Sequence, residues 1–286
     1  MDLSYITINH LDQLMHKLDR LDDEKQLVNI FSSLGNDVRL LILSEVIEKN
    51  VKTSVILEKT DITIQALHKQ ITHLVDGGLI QKNNGTLSLT EFGKSITGQI
   101  PTLAFLSEHR KYFQHHTISN LPTMYLQSIG SLRNCQEIHS TVNVFEKIHS
   151  IIRNSKNSLK LIIAQFSLEA GQHLADRLDR GAIKVHYVMG ENTIIPKGRK
   201  AFLEKVGWNK WLKDGIVTRK MIKNANLMMI TSEDESLLAF PDNNNTVNLN
   251  SAFYSKDKTF HEWCNNLFEH IWNESHQFDE KKLHEI

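Results

Sequence analysis

The residues best suited to contact chemistry lie in DITIQALHKQITHLVDGGLIQKNNGTLSLTEFG, residues 61–93. Ile64, Leu67, Ile71 and Leu74 recur at spacings of three and four, which predicts the buried face of a helix. Neighbouring residues, most of them polar, then face outward over the first turns of this helix. They are Thr63, Gln65, Ala66, His68, Lys69, Thr72 and His73. This outward face carries hydrogen-bonding groups beside small apolar ones.

Side chains of these types can contact the edges of DNA bases. Gln pairs bidentately with adenine, Ala or a Thr methyl meets the thymine methyl, and Lys or His reaches guanine or phosphate. The hairpin signal Asn83-Asn84-Gly85 follows, between two short strand candidates. Lys82, Asn83 and Asn84 are placed there to contact the sugar-phosphate backbone. We therefore expect double-stranded DNA as a partner.

The elements before this segment must position it. Residues 24–50 indicate two helices separated just before Asp37, the expected N-cap, with Leu40, Leu41, Leu43, Val46 and Ile47 facing the core. Residues 52–59 indicate a short helix, and Thr63 can cap the next one. Helices followed by a two-stranded ribbon predict a winged helix-turn-helix domain, which we place at residues 23–98.

Charge restricts how such a domain can bind DNA. Lys+Arg and Asp+Glu both number 33 in the chain, and they also balance between residues 30 and 100. No global basic field attracts a polyanion, so any DNA contact must be local. A homodimer would double the few basic contacts. A neutral domain of this kind also leaves a protein-protein interaction module open as an alternative.

The rest of the chain is predicted to form further regions. Residues 1–22 indicate an N-terminal helix whose apolar stripe, Ile8, Leu11, Leu14, Leu18 and Leu21, pairs with a second copy or packs on its own domain. Residues 99–136 indicate a helical linker. Apolar runs alternate with helical patterns over 137–276, which predicts an α/β domain receiving a signal, and 277–286 is a polar tail. The predicted fold class is therefore α+β.

A second set of residues would suit an anionic ligand. Aromatic and basic side chains near the ends of the predicted strands can line such a pocket, although each alone is also typical of surface or packing positions. They are Arg199, Trp208, Lys210, Trp211 and Arg219. The expected occupant is an unknown small molecule, with a protein effector as the other possibility, and no cofactor is predicted.

Histidine and cysteine spacing predicts no metal site. His109, His115 and His116 are close in sequence, but the last two point apart on a helix and no carboxylate completes the set. Cys135 and Cys264 have no metal-ligand spacing, which favours a reducing, cytoplasmic setting. Apolar runs shorter than about 18 residues, and a start without a leader pattern, predict a protein with no membrane partner.

Two windows of the N-terminal domain resemble a known family. FSSLGNDVRLLIL at 31–43 and the L-x-x-x-G-L pattern at 74–79 are similar to the motif of the ArsR-type winged-helix regulators. The resemblance implies a DNA-binding fold. The clustered Cys and His residues of that family's metal sensors do not occur near this domain, so metal sensing is not implied.

The remainder resembles archaeal winged-helix regulators that carry a methanogen-type output domain. The windows are LPTMYLQSIGSLRNCQEI at 121–138 and the segment 237–275, so the resemblance covers nearly the whole chain from about residue 25. It implies a C-terminal domain similar to half of a phospholipase D-like sheet, used for sensing and not for hydrolysis.

Phospholipase-type chemistry requires a His nucleophile with Lys and Asp at H-x-K-x-x-x-x-D spacing. The segment HRKYFQHH begins correctly at His109 but has His116 where the Asp is required. We therefore expect no catalytic residues and a transcriptional regulator in place of an enzyme. A phosphodiesterase-class enzyme on the C-terminal sheet remains the alternative.

Overall fold

The computed structural model describes residues 24–181 and 183–285. The chain divides between Ile100 and Pro101 into two compact units. The predicted N-terminal helix at 1–22, with its leucine stripe, lies outside the described residues. Among the helices of the described residues, none is long and apolar enough to cross a membrane.

The first unit consists of helices around a small sheet. Its elements are α1 (Glu24–Leu34), α2 (Asp37–Glu48), β1 (Val51–Lys52), α3 (Thr53–Glu58), α4 (Ile64–Asp76), β2 (Ile80–Asn83), β3 (Thr86–Leu89) and α5 (Glu91–Thr97). The strands pair antiparallel in the order β1-β3-β2. Leu43, Ile56, Leu67, Leu74 and Leu87 are fully buried in its core. The helix, short helix, helix and hairpin order predicted from the sequence is present.

Three details of the predicted core and caps are wrong. The N-cap of α2 is Asn36, whose side chain accepts from the Arg39 N–H, and not Asp37. Ile42 is buried on α2, whereas Leu40 and Ile47 are 40% and 48% exposed, because the helix presents a face centred on Ile42 to the core. Ile64 is 55% exposed because it begins α4, ahead of the turns that pack inward.

The second unit is built on a large mixed sheet. Its elements are α6 (Ile100–Glu108), α7 (Arg110–Phe113), α8 (Thr123–Gln127), β4 (Gln136–His139), α9 (Thr141–Asn154), β5 (Ser158–Gln165), α10 (Leu168–Asp179), β6 (Lys184–Ile194), α11 (Arg199–Lys205), α12 (Trp208–Lys213), β7 (Val217–Ile222), β8 (Met228–Thr231), β9 (Ser236–Ala239), β10 (Ser251–Ser255), α13 (Lys258–Glu274) and β11 (His276–Gln277), with 3-10 turns at Ile129–Leu132 and Glu280–Lys282. The architecture of the protein is therefore α+β.

The strand order of this sheet is β11-β7-β6-β5-β8-β9-β10-β4. β5, β6 and β7 are parallel neighbours, joined by α10 and by the α11 and α12 pair, as parallel strands require a crossover connection. The remaining pairs among the described strands are antiparallel. Helix α13 packs on β5, β8 and β9, and α9 contacts β4, β8 and β10.

The segments before and after this sheet belong to the same unit. Within 99–136, the predicted linker, the side chains of Phe105, Tyr112, Tyr125 and Leu132 are buried in its core. In the polar tail, β11 pairs with β7, and Glu285 accepts hydrogen bonds from backbone N–H groups of α11 and its N-cap. The predicted linker and the C-terminal tail therefore both pack as parts of the second unit.

Candidate functional site

Helix α4 is held by a hydroxyl cap and by its apolar face. The Thr63 hydroxyl oxygen accepts a hydrogen bond from the Ala66 N–H at 3.2 Å, as predicted. Leu67, Ile71 and Leu74 are buried and fix the rotation of the helix. The cap uses the Thr63 hydroxyl, which leaves its methyl group for contacts outside the unit.

The opposite face of α4 presents a row of free polar groups. None of the side chains in this row makes a hydrogen bond to any part of the chain that the structure describes. They are Gln65, His68, Lys69, Thr72 and His73, all of them exposed, while Ala66 beside them is half-buried. The structure thus places the predicted residues of the helix on one accessible surface.

The hairpin is the second part of this surface. Asn83 pairs with Thr86, and the two turn residues, Asn84 and Gly85, have φ values of 50° and 76°. Left-handed φ at both positions is what a two-residue type I′ turn requires, and Asn-Gly is its preferred sequence. Lys82, Asn83 and Asn84 are exposed, as the predicted backbone contacts require.

Arg39 is a positioning residue that sequence reasoning missed. Its Nη1 donates to Gln70 Oε1 on α4 at 2.7 Å, and its Nε donates to the Ser33 carbonyl oxygen on α1 at 3.0 Å. The guanidinium therefore joins α1, α2 and α4. Its position in the ArsR-like window was the signal available in the sequence.

Two of the predicted ligand residues meet on one carboxylate. Arg199 is 3% exposed and pairs with Glu280 of the tail, and Arg219 donates to the other oxygen of the same carboxylate at 3.0 Å. The Arg219 guanidinium also lies 4.0 Å from the centre of the Phe278 ring. The anion that these arginines bind in the structure is therefore a side chain of the same protein.

The other three predicted ligand residues lie in different environments. Trp208 and Trp211 are buried, with ring centroids 5.6 Å apart, whereas Lys210 is exposed. Trp208 and Arg199 line a small, mostly apolar cavity of about 80 Å³, to which Lys210 and Trp211 do not contribute. The structure does not gather the five residues into one pocket.

Replacing Glu280 with Gln is expected to destabilise the second unit by about 1–2 kcal/mol. This loss of unfolding free energy lies between the roughly 0–1 kcal/mol expected for a surface ion pair and the roughly 3–5 kcal/mol expected for a buried one. The reason is that Arg199 is buried but the Glu280 side chain is 47% exposed. Urea unfolding followed by tryptophan fluorescence measures it, because all four Trp residues are in this unit. Glu262→Gln, which removes an exposed pair with Lys258, is the control, and equal effects in the two variants would contradict the expectation.

The histidines of the segment that begins with H-x-K spacing, His109 and His116, contact neighbouring side chains of the second unit. His109 is 6% exposed, its Nδ1 lies 2.9 Å from Glu137 Oε2, and its Nε2 lies 3.7 Å from Cys135 Sγ. His116 stacks on Tyr112 with ring centroids 3.8 Å apart. Cys264 is fully buried, and burial raises the pKa of its thiol.

A cluster that the sequence analysis did not identify lies between α9 and α10. His149 Nδ1 is 3.8 Å from Glu169 Oε1, and the His149 and His173 rings are 4.5 Å apart. Burial and the neighbouring His173 lower the pKa of His149. The Glu-x-x-x-His spacing of Glu169 and His173 was visible in the sequence, but His149 comes from the preceding helix.

The comparisons with known proteins give structural likenesses at low scores. No family model and no curated protein matches the sequence. Three solved structures among those found are TrmBL2, an archaeal chromatin protein (11% identity, 85% of this chain and 94% of the other, TM-score 0.40), NucT from Helicobacter pylori (13%, 50% and 98%, TM-score 0.39), and the ArsR family transcriptional regulator RHA00566 (20%, 31% and 97%, TM-score 0.24). We draw no functional conclusion from likenesses of this size.

Proposed function

We propose that the protein is a DNA-binding transcriptional regulator. The observation that carries this proposal is the outward face of α4, where Gln65, His68, Lys69, Thr72 and His73 are exposed and make no side-chain hydrogen bonds within the described residues. Side chains of these types match the donors, acceptors and methyl groups of the major groove.

In this role the first unit acts as a winged helix. Helix α4 is then the recognition helix, and its 13 residues make it about 20 Å long, suited to a groove about 12 Å wide. The hairpin of β2 and β3 is the wing, with Lys82, Asn83 and Asn84 directed at the phosphate backbone.

Few basic residues are available for phosphate contacts in one copy. Lys69 and Lys82 are the exposed cations of the proposed surface, and the chain as a whole is neutral. Because phosphate contacts supply much of the affinity for DNA, we propose a homodimer that doubles them and contacts two half-sites. The second unit then receives an effector, and the setting is cytoplasmic. We propose no catalytic role for it.

The test is a binding titration on selected DNA. Duplexes enriched from a random library by the full chain are compared with scrambled duplexes, by fluorescence anisotropy, between about 50 and 200 mM salt. We expect preference for the selected duplex, and a log–log salt slope that decreases in magnitude by about two when Lys82→Ala removes one phosphate contact from each copy of the dimer. No enrichment, or equal binding to scrambled duplex, would favour the protein-docking alternative.

A further inference from the structure

A group of three potential metal ligands opens onto a cleft of the second unit. The cleft has a volume of about 840 Å³, and its walls include His149 of α9 with Glu169 and His173 of α10. Glu169 and His173 are four residues apart on one helix, so they share a face. One ligand atom from each of the three lies within 4.8 Å of the others.

His149 is the buried member of this group of three. The residue is 6% exposed, and its Nε2 atom is buried without a hydrogen-bond partner in the part of the chain that the structure describes. Buried polar atoms are rarely left unsatisfied in folded proteins. The other ring nitrogen, Nδ1, lies 3.8 Å from Glu169 Oε1 and is the atom placed to share a cation with that carboxylate.

We propose that His149, Glu169 and His173 bind a divalent transition cation of the zinc class. Two imidazole nitrogens and one carboxylate oxygen are a ligand set that such ions accept, whereas Mg²⁺ and Ca²⁺ favour oxygen ligands. With bonds of about 2.0–2.2 Å, tetrahedral ligand atoms lie about 3.4 Å apart. The ligand atoms must therefore draw together by up to about 1.4 Å, which the Glu169 side chain, 74% exposed, is free to do.

The surroundings of the site accept a positive charge. The acidic side chains of the cleft, Glu137, Glu146 and Glu169, outnumber the basic Lys147 and Arg153. The cleft is open to solvent, so a fourth ligand, water or a small anion, has access to the ion. Occupation would join α9 to α10 through the metal. The binding does not depend on the proposed DNA contact.

Zinc titration of the full chain tests the site. The protein is stripped with a chelator and titrated with ZnCl₂ by calorimetry, and Co²⁺ is then used to report tetrahedral coordination by absorption. We expect one tightly bound Zn²⁺ ion per chain. The double variant Glu169→Gln with His173→Gln is expected to weaken this binding by at least tenfold, since even changes to outer-shell residues cost about 10–100-fold in metal affinity. Both positions face solvent at least in part, so the buried His149 is left intact.

The matched control variant replaces the same two residue types, one Glu and one His, elsewhere in the same cleft. Glu146→Gln with His139→Gln alters a Glu and a His, and the His139 side chain is 74% exposed. It is expected to retain the tightly bound Zn²⁺ ion and the Co²⁺ spectrum. Absence of strong binding, unchanged binding in the Glu169 and His173 variant, or equal loss in the control would each overturn the proposal. Circular dichroism confirms that both variants are folded.

Discussion

Replacing Gln65 and Lys69 together with alanine is expected to abolish selective DNA binding. A bidentate base contact by Gln65 is worth about 1–3 kcal/mol of discrimination, which is roughly 5–150-fold in affinity. Loss of Lys69 removes one cation from each copy of the dimer and lowers the magnitude of the salt slope by about two. Both side chains are exposed and without hydrogen-bond partners among the described residues, so their removal leaves the unit intact.

The control for this experiment makes the same chemical change elsewhere on the first unit. Lys94→Ala with Gln99→Ala removes one Lys and one Gln from exposed positions on and just after α5, which packs on α2 and β3. Anisotropy titrations on the selected duplex compare the two variants. Equal affinity in all three proteins, or equal losses in both variants, would contradict a specific role for α4.

The largest expected loss of stability follows Gly93→Ala. A Cβ at Gly93 would lie 1.8 Å from the Leu79 carbonyl oxygen and 2.8 Å from the carbonyl carbon, because α5 packs directly on this backbone. Backbone atoms must then shift, and overpacking of this kind costs about 3 kcal/mol. Since Leu79 connects α4 to β2, the shift also reaches the proposed DNA surface, and binding is expected to fall with stability.

Hydrogen exchange followed by mass spectrometry shows which of the two units the Gly93→Ala substitution destabilises. Peptides from 37–97 are expected to exchange faster in Gly93→Ala, and peptides from 136–277 to exchange at the wild-type rate. Ser95→Ala, on the exposed side of the same helix, is the control and is expected to lie within about 0.5 kcal/mol of wild type. Unchanged exchange in the Gly93 variant would show that the close contact is not made.

Local features of the first unit were predictable from sequence because their causes are local. The Thr63 cap, the Asn84-Gly85 turn and the buried Leu67, Ile71 and Leu74 each depend on neighbours within one or two turns. The errors at Asp37 and Ile64 arose at helix ends, where one residue decides between cap and first turn.

Features that join distant segments were not predictable in the same way. Arg39 contacts Gln70 across 31 residues, and Arg199 meets Glu280 across 81. His149 reaches Glu169 only because α9 and α10 pack side by side. Patterns in a single sequence identify residue types but not which distant side chains the packing brings together. For this reason the sequence did not reveal that the five predicted ligand residues lie in different places instead of in one pocket.

The central claim is that the outward face of α4 contacts base edges in the major groove. The most direct measurement replaces each adenine of the selected duplex, one at a time, with 7-deazaadenine, which lacks the N7 acceptor. We expect one substitution to weaken wild-type binding by about 1–3 kcal/mol, because it leaves the Gln65 amide N–H without its N7 acceptor. The same substitution is expected to have no effect on Gln65→Ala, which has no side-chain amide to donate to N7. If wild type and Gln65→Ala respond equally at every adenine, Gln65 does not contact adenine, and the proposed mode of base recognition is contradicted.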